Sequence, residues 1–575
     1  MKLLIFICSL LTIAAAQDPS LSCNYSSINQ VYRCDLSINN PNGFDNFTEI
    51  GGIHWEGFTD ADVSLIAVDS GTTRNVPQII CATFPNIISF SMSGVQLTAI
   101  NDDAFSGCSQ IRRLYLYSNR INSISENAFV NLREVNYIGL DTNILTTLPE
   151  NVFKNQRNLT DLSLSWNSLS ELPTGIFRPL ENLEYLSVGH NNISAVNREW
   201  FSTNSKLVFL YLPGNRINLT SDNFAHLQQS LEYLNLGSNG ISDIPTGAFA
   251  GLANLIDLLL YNNNFREMHE NSFADLGQLN YLDLRLNPIE RIDNGAFRGL
   301  DSLVTLSLAN CRIRDLAPIS FQGLSNLDSI ELSFNEIEDV PAGTFTPMPN
   351  LVYIGLRNNR LKTLRRNSFG TLSKLLGLDL DDNIVNALDA AIIDDAVDLI
   401  ALYFSGNLCA NNYFSNFLIS RATYLPMLEV CFNNMRYIVD TTTESDDVYS
   451  FFEGPQPGIV LRVQSDNEVQ IALTPFNFLW TPSIEIFIGS TNNTRSVIRI
   501  NEETNVVTVP TPNAIRQDQW NDFRVTWANQ NVLVFRGNET FPFMSYTMQH
   551  FVPVNFYGLR AVETRATWSV QPHNF

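Results

Sequence analysis

An asparagine recurs at Asn119, Asn143, Asn167, Asn191, Asn215, Asn239, Asn263, Asn287, Asn335, Asn359, Asn383 and Asn407, and every step is a multiple of 24. A fixed period of this length commits the chain to a stack of like units, because one such unit cannot cover its own apolar face but a neighbour can. Each asparagine closes the pattern L-x-x-L-x-L-x-x-N-x-I, as in LEYLNLGSNGI from Leu231 to Ile241. In L-x-L the two apolar residues share one face of a short strand. Each unit therefore supplies one strand with leucines inward and the intervening residues outward.

Position 311 is where the series is interrupted, and Cys311 stands there. Upstream, a degraded spacing persists as Ile87, Phe90 and Met92 before Val95, and as Val63, Ile66 and Val68 before Gly71. That brings the array to about fifteen coils. Ten residues after the asparagine position a phenylalanine usually follows: Phe105, Phe129, Phe153, Phe177, Phe273, Phe297, Phe321, Phe345 and Phe369. From about Val63 to Asn407 the chain resembles the extracellular class of leucine-rich repeat proteins. The resemblance implies an α/β repeat solenoid, a horseshoe whose parallel strands line a concave sheet. It also implies capped ends, with Cys23 and Cys34 paired in a front cap (17–62) and Cys409 and Cys431 paired in a back cap (408–435). Cys81 and Cys108 lie 27 residues apart, one repeat plus three, so their coils are adjacent and a third bridge is expected. Cys311 is then left over, and a small buried thiol packing in an asparagine slot accounts for it.

The outward strand residues are the surface that a repeat protein offers for recognition. Six residues before the asparagine, the column includes Tyr137, Tyr185, Phe209, Tyr233, Tyr281 and Tyr353; the next outward column adds Tyr115 and Tyr211, and the third Tyr117 and Tyr261. These ten rings are the expected partner-binding residues, since a rigid aromatic gives contact area at small entropic cost. Tyrosine also suits a strand for its own sake. The acidic group Asp379, Asp381 and Asp382, with Asp394 and Asp395, lacks the spacing of a calcium loop and reads as a solvated patch, so no metal is expected. MHENSF opens like a zinc-protease helix but has Phe273 where the second histidine belongs.

Lys2, the apolar run Leu3 to Leu11 and Ala14 to Ala16 read as an export signal over 1–16. No later run reaches the length of a membrane span. Sequons at Asn24, Asn46, Asn158, Asn192, Asn218, Asn492 and Asn538 fit a secreted, glycosylated chain. The formal net charge of −23 repels a phosphate backbone and argues against nucleic acid as partner.

From 436 to 456 the leucine period stops and a polar, then Pro/Gly-rich stretch reads as a linker. Beyond it, over 457–571, alternation takes over, as in Val469, Ile471, Leu473 and in Ile484, Ile486, Ile488. An all-β antiparallel sandwich of eight or nine strands is expected. IEIFIGSTNNTRSVIRI, FRVTWANQNVLVF, PFMSYT and PVNFYG, with Trp520 and Trp568, resemble the arthropod domain named for farnesoic acid O-methyltransferase. That name implies S-adenosylmethionine and an isoprenoid acid. The residues offer no βαβ alternation and no Gly-rich strand-to-helix turn for such a cofactor, so the expectation is no cofactor and no catalysis. Trp527 and Trp568 are assigned to the sandwich core, and Trp480, in a loop, to a possible contact surface.

Together these features point to an extracellular recognition protein binding a protein or glycan on its concave face, with the sandwich as a second contact or an assembly module, self-association included. Adhesion, developmental signalling and innate immunity are all compatible. The alternatives are a farnesoic acid O-methyltransferase-type enzyme and a non-catalytic carrier subunit of a secreted enzyme.

Overall fold

The computed structural model describes residues 19–28, 31–40, 47–436, 438–441, 450–453, 458–465, 468–475, 483–501, 504–516, 521–528, 530–537, 539–548, 554, 556–561 and 566–572. The signal stretch 1–16, Asn46, Asn538, Trp480 and Trp520 lie outside them, as does the side chain of Asn492. The chain divides into two compact units: residues up to 384 with 391–407 and 411–420, and residues 385–390, 408–410 and 421–575.

The first unit opens with a hairpin, Ser20–Ile28 against Val31–Asn39, in which Tyr25 faces Cys34 and Cys23 faces Leu36. Cys23 and Cys34 are disulfide-bonded. Tyr32, Cys34, Leu36 and Ile38 alternate inward along the second strand, which pairs in parallel with Leu65–Ser70. From there fifteen strands, the first starting at Leu65 and the last at Ala401, each begin 24 residues after the one before. Register is kept throughout: Asp161 pairs with Tyr185, Tyr185 with Phe209, Phe209 with Tyr233 and Tyr233 with Asp257. Asn412–Phe414, antiparallel to Ala401–Phe404, ends the ladder.

Two side-chain columns hold the coils together. The inward leucines, Leu234 and Leu236 among them, are fully buried. At the far side of the coil the phenylalanines stack ring on ring, with centroids 5.9 Å apart for Phe129 and Phe153 and 6.3 Å for Phe273 and Phe297. Cys81 and Cys108 are bonded across adjacent coils, and Cys409 is bonded to Cys431.

The second unit carries a sandwich of two six-stranded antiparallel sheets. One contains Gly458–Ser465, Asn521–Ala528 and Asn531–Arg536, the other Val469–Thr474, Ile484–Gly489 and Arg495–Ile500. Their inner faces bury Ile459, Leu461, Ile471, Ile486, Val525, Trp527 and Trp568. The two core tryptophans are therefore where alternation put them. The sheets hold twelve strands, more than expected, and two of them correct the linker reading of 436–456. Ile438–Thr441 pairs with Ala566–Pro572, and Ser450–Glu453 pairs with Phe556–Ala561. Both are short strands at sheet edges, where a polar composition is the usual protection against stray pairing. The strands themselves, IVDT and SFFE, are half apolar, and it was the polar and Pro/Gly-rich residues around them that made the stretch read as a linker.

Candidate functional site

The outward surface of the parallel sheet is set by how each coil is closed. The residue just before the asparagine position takes the left-handed conformation in coil after coil, among them Ser118, Thr142, Trp166, His190, Ser238, Asn262, Leu286, Phe334 and Asp382, with φ between 51° and 61°. That turn aims the next side chain back into the stack. Asn263 shows the result: Oδ1 accepts from the backbone N–H groups of Asn239 and Ile241, both at 3.0 Å, while Nδ2 donates to the carbonyls of Leu236 (3.0 Å) and Leu260 (2.9 Å). Each asparagine so stitches its own coil to the preceding one. In the same slot Cys311 is buried and unpaired, and its Sγ lies 3.5 Å from Leu284 O and 3.7 Å from Ala309 O. Burial pushes its thiol up to about 12, which makes it a packing residue.

With the turns fixed, the outward columns form a continuous field of side chains, and the ten expected aromatics separate into groups. Tyr185, Phe209, Tyr211 and Tyr233 join into one cluster on three adjacent strands. Ring centroids are 5.3 Å apart for Tyr185 and Tyr211, 4.7 Å for Tyr211 and Tyr233, 6.0 Å for Phe209 and Tyr233 and 6.4 Å for Tyr185 and Phe209. Phe209 remains 41% exposed, high for an aromatic on a sheet already built. Tyr115, Tyr117 and Tyr137 form a second, smaller group, with 4.9 Å between Tyr115 and Tyr137. Tyr261, Tyr281 and Tyr353 stand apart, with no ring-to-ring contact among the described residues.

Three tyrosines lie flat rather than project. Tyr137 covers Gly139, Tyr261 covers Gly237 and Tyr353 covers Gly377, so closely that a Cβ on any of these glycines would enter the ring's van der Waals envelope. In the column of Gly139 the four-ring cluster has Ser187, Tyr211 and Asn235, and its rings support one another. Burial raises the hydroxyl pKa of Tyr137 to about 12. Burial, helped by the neighbouring Tyr211, raises that of Tyr233 as well.

Charge on this face is uneven. Asp283 is fully buried, and burial holds its carboxyl above the usual range against the opposing pull of Arg285. Arg285 Nε is 3.1 Å from Asp283 Oδ2, and its guanidinium carbon lies 5.5 Å from the centroid of the Tyr261 ring. Farther along, Arg357 sits 2.7 Å from Asp382 and 3.7 Å from Asp381, while Asp379 accepts from the Asp381 N–H at 3.0 Å. Asp381 is itself buried and accepts from the Ser405 N–H. Arg366 engages Asp395 through two nitrogens, at 2.8 and 3.0 Å. The acidic group read as a solvated patch is thus largely engaged by backbone and arginine. No cluster of three metal-ligating side chains occurs among the described residues.

One feature of the surface was not anticipated. Trp166 and His190, both at left-handed turn positions, stack 3.8 Å apart, and Trp166 stays 58% exposed. Only their place immediately before Asn167 and Asn191 could have revealed it. Asn24, Asn158, Asn192 and Asn218 are all exposed, as glycan acceptors must be. No helix among the described residues is long and apolar enough to cross a membrane, and three disulfides fit an oxidising, extracellular setting.

Residues 443–574 match the family described as farnesoic acid O-methyl transferase. Among solved structures the chain is similar to TLR13 in its complex with ssRNA13 (23% identity over 56% of this chain and 51% of that one, TM-score 0.49). It is also similar to the Toll–Spatzle complex of Drosophila (21%, 57% and 49%, TM-score 0.52) and to the APL1 leucine-rich repeat domain (20%, 75% and 94%, TM-score 0.47). It spans about half the length of the first two, and the likeness to the Toll–Spatzle complex, at 21% identity, speaks for the fold alone. No curated protein matches at a significant level. The leucine rich repeat model matches in overlapping segments from 85 to 217 and from 229 to 385, just over half of the 575 residues, and the chain belongs to that family.

Proposed function

We propose that this is a secreted, glycosylated recognition protein that binds an extracellular macromolecule on the outward face of its parallel sheet and performs no chemistry of its own. The observation that carries the reading is the cluster of Tyr185, Phe209, Tyr211 and Tyr233. Four rings in mutual contact on a rigid sheet, one of them 41% exposed, are a preformed anchor of the kind that dominates interface energetics. The exposed sequons Asn158, Asn192 and Asn218 lie beyond the strands rather than on their outward columns, which leaves the face open to a partner.

A methyltransferase is the competing reading, and the name of the family matched by 443–574 favours it. Against it stands the fold of that segment. A nucleotide cofactor is ordinarily held where a parallel strand runs into a helix N-terminus, and the described strands of the sandwich pair antiparallel. We assign the sandwich to binding or assembly.

Two measurements test the proposal. The intact chain and its Tyr185→Ala, Tyr233→Ala double variant are screened against a panel of secreted proteins, receptor ectodomains and immobilised glycans. A partner that holds the parent and is released by the variant supports the sheet face; equal retention of every partner refutes it. Calorimetry of the intact chain with S-adenosylmethionine should show no saturable heat, and saturable binding would return the enzyme reading.

A further inference from the structure

Resting on the reading of the sheet face as the binding surface, we infer that the four-ring cluster receives a cationic segment of a partner protein. Arginine or lysine side chains would lie on the rings, their charge met by Asp141, Asp161 and Asp257. From Tyr137 to Tyr261 the three outward columns contain these three aspartates and no lysine, arginine or histidine. None of the three is in an ion pair among the described residues. Asp141 accepts from the Ser163 hydroxyl and Asp161 from the Thr160 hydroxyl, neutral donors that bring no positive charge to either carboxylate. Elsewhere on the face Asp283, Asp381 and Asp382 are each beside an arginine. The aromatic cluster is thus bracketed by uncompensated carboxylates, with Asp161 pairing beside Tyr185 and Asp257 beside Tyr233 in the strand register.

The molecule contains its own example of the contact. Arg285 extends over the Tyr261 ring while its Nε reaches Asp283, combining a ring face with a carboxylate on the neighbouring strand. Tyr233 beside Asp257 and Tyr185 beside Asp161 likewise set a ring next to a carboxylate one coil away, here in direct register, with the cation missing. A cation over a tyrosine face is attracted by the ring quadrupole, and more strongly once desolvated. Burial already holds the Asp257 carboxyl above its ordinary pKa, so an incoming positive charge would relieve a cost now borne by the fold. Asp161 and Asp257 are four strands apart, about 19 Å at the usual strand spacing. An extended partner segment of about six residues crosses that distance.

The test uses the intact glycosylated chain and two nine-residue peptides of alternating glycine with either arginine or citrulline, followed by fluorescence anisotropy at low and physiological salt. The arginine peptide should bind at least about tenfold more tightly than the citrulline peptide. Asp161→Asn with Asp257→Asn, and separately Tyr185→Ala with Phe209→Ala, should each weaken it by roughly tenfold. Glu290→Gln with Asp301→Asn, which removes equal charge off the face, should change it less than about twofold. Circular dichroism confirms that each variant is folded. Equal binding of both peptides, or an equal effect of the off-face pair, overturns the inference. If the partner found by the panel screen is released by the ring substitutions but indifferent to Asp161→Asn with Asp257→Asn, the sheet face stands as the binding site and the cationic occupant is refuted. Release of a neutral glycan by the ring substitutions alone has the same meaning.

Discussion

Asn263→Ala removes one rung of the ladder that holds the coils in register. The side chain serves two buried N–H groups, of Asn239 and Ile241, and two buried carbonyls, of Leu236 and Leu260, all at 2.9 to 3.0 Å, with a longer contact of 3.4 Å to Tyr261 O. Asn263 is itself buried, so water cannot replace it without opening the coil. At about 1 kcal/mol for each of the four short bonds, the loss should come to roughly 3–5 kcal/mol. Because each coil contacts only its neighbours, the damage should stay local. Urea unfolding of the repeat array, read together with hydrogen exchange at the amides of Asn239 and Ile241, measures both. Those two amides should exchange faster, while that of Ile337, which donates to Asn359, should keep its rate. Asn263→Cys should cost less than alanine, as Cys311 retains two sulfur contacts in the same slot. A loss below about 1 kcal/mol, or unchanged exchange at both amides, would refute the account of the ladder.

Three further outcomes follow from the same geometry. Cys311, buried with its thiol pKa raised to about 12, should resist a thiol reagent at neutral pH in the native protein and react at once in denaturant; rapid native labelling would contradict its packing role. Gly237→Ala places a methyl group inside the Tyr261 ring and should cost roughly 1–3 kcal/mol, and the double variant with Tyr261→Ala should recover part of it. Tyr137 ionises in the folded state only at about 12, above the unfolded value near 10. Its share of stability is therefore complete below pH 10 and lost as pH rises toward 12. Ultraviolet titration should show a late phenolate that Tyr137→Phe removes.

The repeat array was legible to the residue, because a strict period leaves only one register in which every leucine faces inward. The fifteen strand starts, the phenylalanine column and the Cys81–Cys108 bridge followed from it, while the two cap disulfides followed from the resemblance to the repeat family. What escaped was information not carried by the period. The left-handed residue before each asparagine tolerates Trp166, Leu286 and Phe334 as well as Ser238, so no residue type announces it. Nor could spacing tell which tyrosines project. Tyr261 lies down because Gly237, on the preceding coil, leaves room, whereas Tyr211 and Tyr233 prop each other up. That depends on pairs of residues 24 apart, and reading the outward columns two at a time would have found it. In the sandwich, two edge strands of four residues each, IVDT and SFFE, stand among polar residues and are too short to show an alternation of their own.

The most direct test of the central claim is a side-chain footprint. Oxidative labelling of the intact protein, alone and bound to the partner recovered from the panel screen, reports the solvent access of each aromatic residue. The account predicts protection of Tyr185, Phe209, Tyr211 and Tyr233 on binding, with Trp55 of the front cap, half exposed in the free chain, unchanged. Protection confined to the sandwich or to the phenylalanine side of the coils, with those four rings labelled as in the free protein, would contradict it.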